Sequence, residues 1–93
     1  MCGIAVAIGL NGRPVERAAV ERMAKSLLHR GPDDGGIYMD GAVGMGFRRL
    51  SILDLSEAGH QPMVSQDGQY VLVFNGEIFN YVELRDELRK LGY

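Results

Sequence analysis

The sequence is poor in the residues that build disulfide, metal and nucleic-acid sites. Its 93 residues include one cysteine and two histidines, so neither a disulfide within the chain nor a zinc cage from these residues alone is expected. Ten Lys and Arg against twelve Asp and Glu leave no basic excess to bind a phosphate backbone. No apolar run approaches the ~20 residues of a membrane span, and no signal peptide is visible. We expect one soluble, cytoplasmic domain without a nucleic-acid or membrane partner.

The first half of the sequence predicts a strand, a helix and a hairpin. An apolar run at 2–10 predicts a buried strand, which the Asn-Gly pair at 11–12 ends. Helical spacing predicts a helix over 14–29 with Pro14 at its first position. Its apolar face holds Val15, Ala19, Met23, Leu27 and Leu28. Strands are predicted at 37–39 and 42–47, with a turn at the Asp-Gly pair between them.

The second half predicts a loop, a further strand and a closing helix. The loop covers 56–63, a turn covers 65–68, and the run YVLVF predicts a strand at 70–74. A helix begins near Asn80, which forms a capping-box pattern with Glu83, and Gly92 suits its C-cap. The apolar face of this helix holds Tyr81, Leu84, Leu88 and Leu91. The order of elements predicts an α+β domain without internal repeats.

Cys2 carries two groups that can act together in catalysis. If Met1 is removed, the α-amino group of Cys2 becomes free, and its unperturbed pKa of about 7.7–8.0 makes it a usable base at neutral pH. The thiol of the same residue supplies a nucleophile, so no partner histidine is needed. The structural alternative is a small buried hydrophobic residue at the start of a strand. Taken alone, Cys2 favours the structural alternative.

The segment FNGE at 74–77 also has two interpretations. An Asn-Gly pair between β-like runs is typical of a tight hairpin turn. Alternatively, the Asn75 side-chain amide and the Gly76 backbone N–H can both donate to one developing negative oxygen. Glycine permits the close backbone approach that such a site requires. Taken in isolation, the segment favours the turn.

Two charged segments are ambiguous in the same way. The Arg49 guanidinium can bind the carboxylate of an amino-acid substrate bidentately, but taken alone the pair favours the structural alternative of two solvated surface cations, Arg48 and Arg49. In HRGPDD at 29–34, the adjacent Asp33 and Asp34 point apart on an extended segment, so a tightly turned structural loop is favoured over a metal site. His60 is predicted to be a loop histidine. No P-loop or dinucleotide-binding fingerprint is present.

The segments MCGI, HRGPDD, RRLSILDLS and FNGEIFNY occur together and in one order. In this combination the sequence resembles the N-terminal glutaminase domain of class II glutamine amidotransferases, which are Ntn hydrolases. Within that superfamily it is most similar to the asparagine synthetase (glutamine-hydrolysing) branch. The resemblance covers residues 1–93 and implies part of an αββα four-layer sandwich, in which helices cover two antiparallel sheets. The chain is then the N-terminal part of a type-2 amidotransferase domain.

The resemblance implies a role for each matching residue. Cys2, exposed by loss of Met1, attacks the carboxamide of L-glutamine and forms a γ-glutamyl thioester, while its α-amino group moves the proton and ammonia leaves. Asn75 and Gly76 match the oxyanion hole. Arg49 matches the arginine that binds the glutamine α-carboxylate. The pocket wall and a further substrate contact are matched by Leu50, Ser51, Ile52, Leu53 and Glu77.

The resemblance also implies partners outside these residues. Domains of this type continue past such a helix and include a later acidic residue that binds the glutamine α-amino group. A C-terminal synthetase domain, absent from this sequence, would use ATP and Mg²⁺ to activate the ammonia acceptor, which is aspartate by similarity. No cofactor or metal is expected in the chain itself. The alternatives are a truncated non-catalytic fragment, an amidotransferase with a different acceptor, and an α+β interaction domain with an inert Cys2.

Overall fold

The structure is a computed structural model that describes residues 2–51 and 56–93. The first three strands of the chain form an antiparallel main sheet with the third strand in its centre, and two short strands form a separate antiparallel hairpin. In chain order the elements are β1 (Gly3–Ile8), a 3-10 turn (Leu10–Gly12), α1 (Arg17–Ser26), β2 (Asp34–Asp40), β3 (Val43–Arg49), a 3-10 turn (Glu57–Gly59), β4 (Met63–Val64), β5 (Val71–Leu72) and α2 (Tyr81–Lys90). The predicted α+β class is confirmed, with antiparallel sheets. Within these ranges neither helix has the length and apolar character to cross a membrane.

Helix α1 lies very close to the main sheet because small residues face it. A Cβ added to Gly44 would lie 2.5 Å from Cγ2 of Val20, and one added to Gly46 would lie 3.0 Å from Cβ of Ala24. Val20 and Ala24 are the buried residues of α1. The glycines of β3 therefore serve the packing of a helix on a sheet, where any larger side chain would force the layers apart.

The face of the main sheet opposite α1 is apolar and largely exposed along β1. Ile4, Val6 and Ile8 are exposed, whereas Gly3 and Ala5 on the other face are buried. The strand predicted at 2–10 is present, but the prediction that it is buried is wrong for this face. Successive side chains of a strand point to opposite sides, and only one side of β1 is covered by α1.

The segment 60–62 covers part of this second face, near the end of β3. A Cβ on Gly36 would lie only 2.3 Å from the carbonyl oxygen of Gln61 and 2.9 Å from Nε2 of His60. Phe47, the register partner of Gly36, is almost completely buried. Gly36 thus lets a loop lie directly on the sheet.

Helix α1 is shorter than the predicted span of 14–29. Glu16 is its N-cap, so the expectation that Pro14 occupies the first helical position is wrong. The predicted apolar face also omits both buried residues, Val20 and Ala24, and includes Leu28, which is exposed. The physical reason is that α1 approaches the glycines of β3 most closely through its small and β-branched residues. The spacing of apolar residues along α1 does not show which of them face these glycines.

The predicted hairpin between β2 and β3 is confirmed, with longer strands than expected. Gly41, at φ +51°, and Ala42 form the connection. The predicted turn at 65–68 also exists, between β4 and β5, but β5 is shorter than the predicted strand at 70–74.

Helix α2 begins after Asn80 as predicted, but no capping-box hydrogen bond from the Asn80 side chain forms. Its end is confirmed: Gly92 has φ +94° and donates its N–H to the Arg89 carbonyl, while Tyr93 donates to the Leu88 carbonyl. These two bonds are those of a Schellman cap. In the described part of the chain α2 packs on no other helix or strand. Its predicted apolar face is therefore exposed.

Candidate active site

Cys2 lies at one end of the main sheet, where β1 begins and β3 ends. The register pairs Gly3 with Arg48, so the next step along both strands places Cys2 opposite Arg49. The half-buried thiol contacts both backbone polar groups of Leu50: the Leu50 N–H donates to Sγ at 3.4 Å, and Sγ donates to the Leu50 carbonyl at 3.8 Å. Cys2 is thus half-buried with polar backbone contacts, and its role as a nucleophile stays a prediction.

The carbonyl oxygen of Cys2 accepts hydrogen bonds from two further segments. Nδ2 of Asn75 donates to it at 3.1 Å, and Nε of Arg30 donates to it at 3.2 Å. Together with Leu50, these contacts bring HRGPDD, RRLSILDLS and FNGEIFNY to one residue of MCGI. The motifs that are separate in the sequence thus meet at Cys2.

Arg49 is buried at the end of β3, with only 8% of its surface exposed. Its Nη1 donates to the Ser56 carbonyl at 2.7 Å, and Gly59 lies against the guanidinium, since a Cβ there would be 2.3 Å from Nη2. Among the described residues this is the one hydrogen bond of the guanidinium, which carries five N–H donors. Of the carboxyl groups that the structure describes, none lies at ion-pair distance from Arg49.

Arg48 holds the HRGPDD loop against β3. Its Nε donates to the Gly31 carbonyl at 2.8 Å, and its Nη2 donates to the Pro32 carbonyl at 3.3 Å. A Cβ on Gly31 would lie 2.4 Å from the Arg48 carbonyl carbon, so the loop requires glycine there. The alternative of a solvated Arg48–Arg49 pair is wrong, because both side chains have protein partners.

The two aspartates of HRGPDD bind different partners, as their predicted divergence implies. Asp33 accepts a hydrogen bond from the Ser51 N–H at 2.8 Å and donates its own N–H to the Arg49 carbonyl at 3.0 Å. Asp34 pairs with Nδ1 of His60 at 2.6 Å. The loop therefore positions the end of β3, in agreement with the favoured structural interpretation. Among the described side chains no group of three His, Cys, Asp or Glu could hold a metal ion.

The carboxyl group of Asp34 ionises more readily than an ordinary aspartate. Burial by itself raises the pKa of Asp34. The hydrogen bonds from His60 and from the Gly35 N–H, together with the charges of His60 and Arg49, outweigh that effect and hold the pKa below its usual value of 3.8. His60 is a loop residue, as predicted, and its contact with Asp34 joins its loop to β2.

The segment 74–77 is not a hairpin turn. The strand β5 ends at Leu72, and the next element of the structure is α2, which begins at Tyr81. The favoured interpretation of the isolated segment is therefore wrong. Gly76 lies against the ring of Phe74, where a Cβ would be 2.9 Å from Cζ. Gly76 and Glu77 are exposed and line an open groove with Phe74, Ile78, Phe79, Tyr81 and Arg85.

The structure thus brings together some of the predicted site residues. Cys2 contacts both Leu50 and Asn75, and Arg49 and Ser51 flank Leu50 in the sequence. Glu77 has no hydrogen bond with another described residue. Met1 and two predicted pocket residues, Ile52 and Leu53, lie outside the described residues.

Sequence reasoning missed two residues of this region. Arg30 contacts Cys2 directly, and its position inside HRGPDD was the available signal. Gln61 binds the backbone of Phe74 through its side chain, and no pattern in the sequence indicates this.

Comparison with known proteins identifies relatives along the whole chain. The glutamine amidotransferase domain family matches residues 1–93. The chain is 46% identical over 99 residues to asparagine synthetase (glutamine-hydrolyzing) 1 of Bacillus subtilis, an alignment that covers 100% of this chain and 15% of that protein. It is 41% identical over 105 residues to putative asparagine synthetase (glutamine-hydrolyzing) 2 of Methanocaldococcus jannaschii, with 94% and 20% covered.

A plant relative gives the same result. The chain is 39% identical over 90 residues to asparagine synthetase (glutamine-hydrolyzing) of Brassica oleracea, with 96% of this chain and 15% of that protein covered. The chain therefore spans between 15% and 20% of the length of these relatives. The matches confirm the resemblance that the ordered motifs indicate.

Proposed function

The chain belongs to the glutamine amidotransferase domain family, and from this premise we propose that it hydrolyses L-glutamine to supply ammonia. Residues 1–93 are then the N-terminal part of a type-2 amidotransferase domain. The observation that carries the proposal is the convergence of Arg30, Leu50 and Asn75 on Cys2 through hydrogen bonds. The geometry supports Cys2 as the nucleophile because its thiol is half-buried and hydrogen-bonded to the backbone of Leu50.

The first step joins Sγ of Cys2 to the carboxamide carbon of glutamine. After removal of Met1, the free α-amino group of Cys2 takes the thiol proton. The Leu50 N–H, 3.4 Å from Sγ, stabilises the negative charge that the sulfur carries as it attacks. The C–N bond of the carboxamide then breaks, and the α-ammonium group returns a proton to the departing ammonia. Water cleaves the resulting γ-glutamyl thioester to glutamate and restores the thiol.

Asn75 and Gly76 stabilise the negative oxygen of the tetrahedral intermediate. The Asn75 amide nitrogen carries two N–H groups, and the bond to the Cys2 carbonyl uses one of them, leaving the other for the substrate oxygen. The Gly76 N–H has no acceptor among the described residues, which supports its role as the second donor. Two such donors aimed at a developing oxyanion give a large share of the rate in acyl transfer.

Arg49 binds the α-carboxylate of glutamine. A buried guanidinium ordinarily has an anionic partner, because burying an unpaired charge is costly. The absence of a carboxylate partner among the described side chains therefore supports a substrate carboxylate in that place. Glu77 contributes a contact to the bound glutamine, and the wall beside Arg49 consists of Leu50, Ser51, Ile52 and Leu53.

The complete domain is proposed to be an αββα sandwich. In that arrangement α1 and the main sheet are one helix layer and one sheet layer. The exposed apolar side chains of Ile4, Val6 and Ile8 support a second sheet on the face opposite α1.

The ammonia acceptor is activated elsewhere in the protein. By the family resemblance, a C-terminal synthetase domain, located with this chain in the cytoplasm, would bind ATP and Mg²⁺ and convert aspartate to asparagine; the relatives are named asparagine synthetases. The closely spaced Gly44 and Gly46 lie inside β3 against α1 and form no phosphate-binding loop. This chain's part of the reaction therefore ends with the release of ammonia.

Glutamine hydrolysis by the full-length protein tests the proposal. We expect ammonia and glutamate in equal amounts from the wild type and neither from Cys2→Ala. Gln66→Ala is the matched control, because Gln66 is exposed in the β4–β5 turn and its side chain has no hydrogen bond with a described residue. A wild type that releases no ammonia supports the non-catalytic alternative, and an active Cys2→Ala would exclude Cys2 as the nucleophile.

A further inference from the structure

The side chain of Gln61 forms two hydrogen bonds with the backbone of a single residue, Phe74. The Phe74 N–H donates to Oε1 of Gln61 at 2.6 Å, and Nε2 of Gln61 donates to the Phe74 carbonyl at 3.2 Å. A planar amide that pairs with both groups of one residue acts like the neighbouring strand of a sheet. The second bond is the important one, because the Phe74 carbonyl belongs to the peptide unit that joins Phe74 to Asn75.

Gln61 and its neighbour His60 also contact the main sheet. His60, the neighbour of Gln61, pairs with Asp34 of β2 at 2.6 Å. The Gln61 carbonyl lies so close to Gly36 that a Cβ there would be 2.3 Å away. Gln61 is therefore held on the same sheet whose β1 strand begins next to Cys2.

A closed circuit of contacts follows from these two observations. The segment 60–62 lies on the main sheet, and Gln61 is hydrogen-bonded to Phe74. The next residue, Asn75, donates to the Cys2 carbonyl at 3.1 Å, and Cys2 directly precedes β1 of the same sheet. The β4–β5 hairpin packs on no other described helix or strand, so it does not fix the position of 74–76 by itself.

We propose that Gln61 is a positioning residue that sets Asn75 and Gly76 relative to the Cys2 thiol. This inference rests on the proposed glutaminase function and adds a residue to it. Gln61 touches neither Cys2 nor the substrate. It acts through the peptide unit between Phe74 and Asn75, so its effect falls on the oxyanion donors and hence on kcat. Small displacements of such donors are costly, at about 100-fold in rate for about 1 Å.

The experiment compares kcat and KM for glutamine in the full-length wild type, Gln61→Ala and Gln66→Ala. We expect Gln61→Ala to lower kcat about 10- to 100-fold with a smaller change in KM, and Gln66→Ala to leave both unchanged. Alkylation of Cys2 by iodoacetamide should keep its wild-type rate in Gln61→Ala, because the nucleophile is undisturbed. A general loss of structure would change the alkylation rate as well and would overturn the proposal.

A second variant, Gln61→Glu, tests the hydrogen bonds without changing the shape of the side chain. As a carboxylate it accepts from the Phe74 N–H but cannot donate to the Phe74 carbonyl, whereas the protonated acid can do both. Its activity relative to the wild type should therefore rise as the pH is lowered from 8 to 5, toward the ordinary glutamate pKa of about 4.3. The same ratio for Gln66→Glu should stay flat.

The outcomes separate this inference from the function on which it rests. If the wild type hydrolyses glutamine and Gln61→Ala has a kcat within about twofold of it, the positioning role is overturned and the function stands. A flat pH ratio for Gln61→Glu has the same meaning. If the wild type itself releases no ammonia, the proposed function and the role of Gln61 in it fail together.

Discussion

The side-chain amide of Asn75 donates a hydrogen bond to the carbonyl oxygen of Cys2 at 3.1 Å, across a separation of 73 residues in the chain. This contact places an N–H donor beside the residue that carries the thiol. It also explains why the Asn-Gly pair at 75–76 does not form a hairpin: the asparagine side chain is used for a long-range contact, and α2 rather than a strand follows.

Replacing Asn75 by Asp should remove the donors while keeping the shape of the side chain. We expect Asn75→Asp to lower kcat for glutamine hydrolysis by about 100- to 1,000-fold, the usual loss for one oxyanion donor, with a much smaller effect on KM. Steady-state ammonia release measures this. Gln66→Glu makes the same change of charge in an exposed turn and should retain full activity. An Asn75→Asp enzyme with a normal kcat would exclude the oxyanion role.

Replacing Arg49 by Lys should weaken glutamine binding. Lysine keeps the charge but loses the planar fork that binds a carboxylate bidentately, and a charge-assisted hydrogen bond contributes about 1.5–3 kcal/mol. The KM for glutamine should therefore rise about 10- to 100-fold, with less change in kcat. Arg22→Lys, on the exposed side of α1, is the matched control. A KM unchanged in Arg49→Lys would show that the α-carboxylate binds elsewhere.

The ion pair of Asp34 and His60 predicts a defined pH dependence. Because the pKa of Asp34 lies below its usual value of 3.8, ionised Asp34 stabilises the folded chain at pH values above 3.8. That contribution is lost as the pH falls from 3.8 through the lower pKa of the folded state. A carboxyl NMR titration should give an Asp34 pKa below 3.8 in the wild type and a higher value in His60→Ala. A wild-type value above 3.8, or no change in His60→Ala, would contradict the pairing.

The close approach of α1 to β3 predicts coupling between Gly44 and Val20. The Cβ of Gly44→Ala would lie 2.5 Å from Cγ2 of Val20, so we expect a loss of about 1–3 kcal/mol in the free energy of unfolding. Val20→Ala removes that methyl group, and in the double variant the two effects should be less than additive. Native-state hydrogen exchange of the β3 amides measures the free energy of unfolding of the wild type, the two single variants and the double variant. Strict additivity would mean that the two residues do not touch.

Residue types within a short segment predict the turns, the helix end and the first strand of this fold. The glycines at Gly41 and Gly92 adopt positive φ where a turn and a helix end were expected. The apolar run before the first turn does form β1. The buried face of α1 was predicted incorrectly. Val20 and Ala24 pack against the glycines opposite them in β3, and those glycines are distant from α1 in the sequence.

The candidate site also contains residues that the sequence predicts and residues that it does not. Cys2, Arg49 and Asn75 could be named because ordered motifs carry them, although Asn75 alone favoured a turn. Arg30 lies in an ordered motif as well, but its role, like that of Gln61, depends on a contact between its side chain and the backbone of a distant residue, Cys2 and Phe74 respectively. Periodicity and turn patterns contain no information on such contacts.

The identity of the nucleophile can be tested directly by mass spectrometry of the full-length protein after treatment with a diazoketone analogue of glutamine. The account predicts a single adduct, on the Sγ of Cys2 in an N-terminal peptide that lacks Met1, and slower labelling in the presence of excess glutamine. An unlabelled Cys2, a labelled peptide that retains Met1, or labelling that glutamine does not slow would contradict it.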